Sequence, residues 1–179
     1  MTTTIPRPPV RVPSRGTPPP PPALPRDAVQ FGKIATGAGH RAVLYGPGGI
    51  GKTTTATNLP GPVAFFDLDD SLARLAAQID TSNILPVSGI ETWSDLRRAL
   101  QSSGWDDVKS IVIDTGTRAE EMATAHTLAN VPHEKGHMCA RLEDYGFGKG
   151  FQHVYDTFLP LLADLDRHSR AGRNVVILC

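Results

Sequence analysis

The chain has 179 residues, with 18 basic and 18 acidic side chains and therefore no net formal charge. Arg7, Arg11, Arg15 and Arg26 give residues 1–26 a charge of +4, so residues 27–179 carry −4, which excludes nucleic-acid binding by bulk charge while leaving room for a local basic loop. No apolar run reaches the roughly 18 residues of a membrane span, no apolar stretch follows the tail's charges as in a secretory signal, and Cys139 and Cys179 make no disulfide framework; a cytoplasmic protein without membrane association is expected.

Ten of the 16 prolines precede Asp27, among them the run Pro18–Pro22. Proline fixes φ and has no N–H to donate, so this stretch joins neither helix nor sheet. A disordered, Pro-rich basic tail over residues 1–27 is expected, as a spacer or as a ligand for an aromatic-lined groove. Residues 28–179 remain for one compact domain.

Short apolar runs then alternate with segments of helical period. Arg41–Tyr45, Val63–Phe66, Ile84–Val87, Ser110–Ile113 and Asn174–Cys179 are apolar on both faces, as strands covered from two sides should be. Pro86 places the third at an edge. Between them, Leu72, Leu75, Ala76 and Ile79 form a helical face behind Asp69–Asp70–Ser71. Thr92 opens a helix that Gly104 stops, and Thr117-x-x-Glu120 reads as a capping box for another that runs to about Ala129. The longest stripe is Phe151, Val154, Tyr155, Phe158, Leu161, Leu162 and Leu165, where Pro160 should kink or split the helix. The alternation predicts an α/β domain with a mainly parallel sheet.

Gly46-Pro47-Gly48-Gly49-Ile50-Gly51-Lys52-Thr53 fits G-x-x-x-x-G-K-[ST] at every fixed position, after a strand and before the helical stretch Thr53–Asn58. Glycines let consecutive N–H groups curl around a phosphate, and the following helix points its positive end at the same anion. Nucleotide binding is therefore expected at Gly46, Pro47, Gly48, Gly49, Ile50, Gly51, Lys52, Thr53 and Thr54. Lys52 reaches the terminal phosphates, and the Thr53 hydroxyl ligates Mg²⁺. ATP and Mg²⁺ are the expected ligands. Asp114, closing the strand Ser110–Ile113, is the candidate carboxylate behind the metal. Thr115 follows where many related ATPases carry a catalytic Glu. The water-orienting acid is expected to be Asp69, on the side of its strand shared with Asp67; alternatively, Asp69 and Asp70 only cap the next helix.

The order GPGGIGKT, VAFFDLDD, SIVIDT and GRNVVILC resembles the RecA-like branch of P-loop ATPases across roughly residues 38–179. The segment Asp144-Tyr145-Gly146-Phe147-Gly148-Lys149-Gly150-Phe151 narrows the likeness to AAA-type ATPases of phages and prophages that act in single-strand annealing recombination. The resemblance implies a RecA-like, mainly parallel sheet with helices on both faces and Mg-dependent ATP hydrolysis in DNA recombination or replication. It also implies a homo-oligomer and single-stranded DNA as a partner. The position of Asp69 is usually Glu in that group, and a polar γ-phosphate sensor usually follows the strand that here ends at Cys179, so a domain incomplete at its C-terminus is expected. One alternative is an ATP-binding module without turnover. Another is suggested by Gly48–Leu59, which resembles the phosphate loop of plasmid-partitioning and cell-division-site ATPases; their signature Lys before the Gly-Gly pair is Pro47 here.

Two other constellations carry less. His133, His137 and Cys139 have metal-ligand character, but Pro132 and Gly136 oppose the helical turn that would align the histidines, and a mobile loop is expected. Arg141, Lys149, Tyr145, Phe147 and Phe151 have the chemistry of a loop that stacks on single-stranded DNA; alternatively, Phe151 belongs to the core and Tyr145 packs locally. Lys149 has a second possible role, reaching a neighbouring subunit's γ-phosphate.

Overall fold

The computed structural model describes residues 37–179. The expected tail, and the boundary at residues 27 and 28, lie outside the described residues.

Five strands form one parallel sheet: β1 (Arg41–Leu44), β2 (Val63–Asp67), β3 (Ile84–Pro86), β4 (Ser110–Asp114) and β5 (Asn174–Leu178), in the order β1-β5-β4-β2-β3. Each strand run expected from the sequence is present, and β3, with Pro86, is an edge. The helices are α1 (Lys52–Thr57), α2 (Ser71–Leu75), α3 (Trp93–Gln101), α4 (Gly116–Asn130) and α5 (Lys149–Arg170), with a 3-10 turn at Leu142–Tyr145. Among the described residues no helix is long and apolar enough to cross a membrane.

Strand residues alternate between two cores, which explains why these runs are apolar throughout. Ala64, Phe66, Ile111, Ile113 and Val175 pack with Trp93, Leu96 and Leu100 of α3, Ala119 and Ala123 of α4, and Val154, Leu161 and Leu165 of α5. Val63, Phe65, Val112, Val176 and Leu178 face the other way, onto Ala56 of α1 and Leu72 of α2. Helices therefore cover both faces.

Four local expectations are corrected. Helix α2 ends at Leu75, and the chain continues through turns in which Gln78 and Ile79 donate to the Leu75 carbonyl. The cap of α4 is Thr115, whose hydroxyl accepts from Arg118 N at 3.1 Å, so the helix starts directly after the strand rather than at Thr117. Helix α5 runs 22 residues without a break at Pro160. Asp156, the residue whose carbonyl loses its partner there, is exposed, so water can take the place of the missing N–H. The buried face of α5 is also narrower than the stripe: Phe151, Tyr155 and Leu162 are exposed, while Val154, Leu161 and Leu165 are buried.

His168, buried near the end of α5, hydrogen-bonds the Leu100 carbonyl through Nε2 (2.8 Å) and lies against Trp105. Burial holds its pKa below the ordinary value of about 6.5, with the Arg173 and Arg167 charges acting the same way. The unfolded chain then takes up a proton at a pH where the folded chain does not. We expect stability to fall as pH drops from about 6.5 toward the lower folded value, and His168→Gln to flatten that slope in urea titrations. Leu161→Ala, at a fully buried position, should cost ~2–5 kcal/mol in the same measurement, against less than ~1 kcal/mol for its half-exposed neighbour Leu162→Ala.

Candidate functional site

Register places the site. Leu44 pairs with Leu178, Leu178 with Asp114 and Asp114 with Asp67, so the carboxyl ends of β1, β5, β4 and β2 form one row. The glycine loop leaves β1 at this row and is tied to β5, with Cys179 N donating to Leu44 O (2.8 Å) and Gly46 N to Cys179 O (3.0 Å).

The loop turns at Gly49 (φ 79°) and Gly51 (φ 94°), both in the left-handed region that favours glycine. A Cβ built at Gly48, Gly49 or Gly51 meets nothing within 4 Å, so that side of the loop is open. Gly51 is the N-cap of α1 and supplies no side-chain acceptor for its first N–H groups. The Lys52 ammonium folds back onto the loop, donating to Gly46 O (2.5 Å) and Pro47 O (3.0 Å). Pro47 and Ile50 complete the curve, and the Ile50 side chain is exposed. Thr54 is exposed on α1, and its carbonyl accepts from Thr57 and Asn58 side chains.

Thr53 Oγ1 donates to Asp114 Oδ2 at 2.8 Å. Asp114 is buried, and burial raises its pKa; hydrogen bonds from Thr53 and Ser71 oppose the rise, and the nearby charges of Asp67 and Asp69 add to it. Of these three carboxylates, Asp114 is the one bonded to the first turn after the loop, and Asp67 and Asp69 lie near Asp114. Among the described residues no group of three or more His, Cys, Asp or Glu side chains is arranged to hold a metal ion. A cation here would depend on the Thr53 hydroxyl, water and ligand oxygens, the sparse protein coordination typical of Mg²⁺.

The capping of α2 falls to Asp67 rather than to Asp69 or Asp70. Asp67, the last residue of β2, accepts from Ser71 N (2.8 Å), Ser71 Oγ (2.9 Å) and Leu72 N (3.0 Å), so it is the residue that caps α2. Asp70 holds the N-cap position in a left-handed conformation (φ 53°) with no side-chain capping bond. Asp69 is exposed and accepts from Thr115 Oγ1 at 3.1 Å. Ser71 and Thr115 are the site residues that sequence analysis missed as such. Asp67-x-x-x-Ser71 contained a trace of the first, as an acid within one helical turn of a hydroxyl.

The remaining candidates make no hydrogen bond to the loop or to Asp114 among the described residues. Tyr145 is buried, with its hydroxyl on Val131 O (2.5 Å), so it is not available to stack on a base. Phe147 and Phe151 are exposed, and Lys149 is paired with Glu134. The rings of His133 and His137 stack with centroids 4.7 Å apart in a short loop bridged at Pro132 and Met138.

A family model described as an AAA domain matches residues 38–179, the whole region built around this row of strand ends. The chain belongs to the AAA domain family. No curated protein matches it. Members of the family are P-loop ATPases that generally bind nucleotide with Mg²⁺, and this AAA domain has the five-stranded parallel sheet and flanking helices consistent with that fold.

Capping of α2 by a carboxylate inside the preceding strand has a measurable consequence. Asp67→Ala should destabilise this AAA domain by ~1–2 kcal/mol in chemical denaturation. Asp70→Gly, which relieves a left-handed aspartate and removes no capping bond, should be neutral or slightly stabilising.

Proposed function

We propose that this AAA domain is a Mg-dependent ATPase in which residues 46–54 hold the phosphates of ATP. The observation that carries the proposal is the pairing of Thr53 with buried Asp114 beside a glycine loop that has its ammonium, Lys52, folded against it. The residues fit Mg–ATP. The loop is open at Gly48, Gly49 and Gly51, the Lys52 ammonium has only carbonyl partners to exchange for phosphate oxygens, and the Thr53 proton is committed to Asp114, which leaves the hydroxyl's lone pairs for a cation. Bound Mg²⁺ would neutralise charge across the terminal phosphates. Thr53 would ligate it, with Asp114 behind the water shell.

Asp69 is the proposed acid for the attacking water. Thr115 holds one of its carboxylate oxygens and fixes its reach from the end of β2. The same contact favours a second reading, binding without turnover, because an aspartate is shorter than glutamate and this one is engaged by Thr115. Pro47, adjacent to the Gly-Gly pair, offers neither charge nor donor and disfavours a partitioning-type ATPase.

We further propose that the ATPase works in phage-type DNA recombination or replication, as a homo-oligomer in the cytoplasm. The support is the resemblance carried by residues 144–151. Single-stranded DNA is the proposed partner, with exposed Phe147 and Phe151 as its stacking surfaces and Lys149 as a phosphate contact or a residue acting on a neighbouring subunit's γ-phosphate. The Pro-rich residues 1–27 would be dispensable for nucleotide binding.

Mg–ATP at 100 times Kd should stabilise the protein by about 2.7 kcal/mol, and Lys52→Ala should abolish that stabilisation in a thermal melt. Phosphate release separates the two readings. Under hydrolysis, Asp69→Asn lowers turnover by at least ~100-fold with ATP affinity retained; under binding alone, wild type releases no phosphate with or without single-stranded DNA.

A further inference from the structure

The Ser71 hydroxyl lies 2.9 Å from Asp67 Oδ1 and 2.9 Å from Asp114 Oδ2. Capping of α2 does not require it, because the N–H groups of Ser71 and Leu72 already donate to the Asp67 carboxylate. The single proton of the Ser71 hydroxyl is therefore available to Asp114 Oδ2, which has two hydroxyls against it, from Thr53 at 2.8 Å and from Ser71. Among the described residues, Asp114 Oδ1 has no hydrogen-bond partner. Two contacts on one oxygen fix the rotation of a carboxylate more tightly than one, and the rotation decides where the other oxygen goes.

We propose that Ser71 is a positioning residue for the cation that accompanies the nucleotide: its hydroxyl, donating its one proton to Oδ2, sets the rotamer of Asp114 and ties it to the start of α2. Held in that rotamer, Asp114 accepts the Thr53 hydrogen bond on Oδ2 and keeps Oδ1 free for the water shell of the cation. The proposal rests on residues 46–54 being the phosphate site. It separates two parts of the affinity. Ser71 contributes to what Mg²⁺ adds, and not to the grip of the loop amides and Lys52 on the phosphates themselves.

The test is an equilibrium titration of the full chain with a fluorescent ATP analogue, in saturating Mg²⁺ and in excess EDTA, for wild type, Ser71→Ala and Ser71→Thr. In Ser71→Ala the gain in affinity due to Mg²⁺ should shrink about tenfold, the size of one lost hydrogen bond to a carboxylate, with affinity in EDTA unchanged. Ser71→Thr keeps the hydroxyl and should keep the gain. An unchanged Mg²⁺ gain in Ser71→Ala, or an equal loss with and without Mg²⁺, overturns the positioning role and leaves the phosphate site standing. Wild-type protein that binds no analogue in either condition overturns the phosphate site, and the Ser71 proposal falls with it.

Discussion

The hydrogen bond from Thr53 to Asp114 joins residues 61 apart in sequence, and the chemistry at the strand ends depends on it. Thr53 comes from the first turn of α1 and Asp114 from the end of a fully buried strand. Neither position is adjustable. Register across β2, β4 and β5 fixes Asp114, and the left-handed turn at Gly51 fixes the start of α1. The contact is thus set by a buried strand and a glycine turn, and α2 and the turn at Asp69–Asp70 are arranged around it.

Burial gives this arrangement its electrostatic character. A carboxylate removed from water is costly to ionise unless donors or a cation compensate, and Asp114 has two hydroxyls but no basic side chain bonded to it. Asp67 and Asp69 add negative charge nearby. The Lys52 ammonium, for its part, is held by neutral carbonyls. Positive charge on the loop and negative charge behind it stay unmatched with each other, and a magnesium-bound polyphosphate has the complementary sequence of charges to lie between them.

Much of this was legible in the sequence, for identifiable reasons. The strands announced themselves because both sheet faces are buried, so Val63–Phe66 and Ser110–Ile113 had to be apolar without alternation. The loop was legible because glycine at 49 and 51 answers a backbone demand that few residues meet. What escaped depends on contacts distant in sequence or on near-duplicates. Ser71 meets Asp114 across 43 residues, and no local pattern records that. Thr115 and Thr117 are both competent caps, and only the abrupt passage from β4 into α4 chooses between them. The Asp69–Asp70 pair resembled a cap, but the chain reaches α2 through a left-handed Asp70 that hands the capping to Asp67. The α5 stripe over-read burial because apolar periodicity does not say how wide the facing surface is.

The pairing of β1 with β5 alone bears on how the molecule is made. Arg41 aligns with Val175, and β5 is the only sheet neighbour of β1 among the described residues. During vectorial synthesis on the ribosome, the strand that launches the glycine loop emerges early and waits for its neighbour until more than a hundred residues have followed. Parallel pairings over such separations close large loops and form late. β2, β4 and the helices between them can therefore pair before β5 is available, and the tie of the glycine loop to the sheet through Leu44 and Cys179 has to wait for β5.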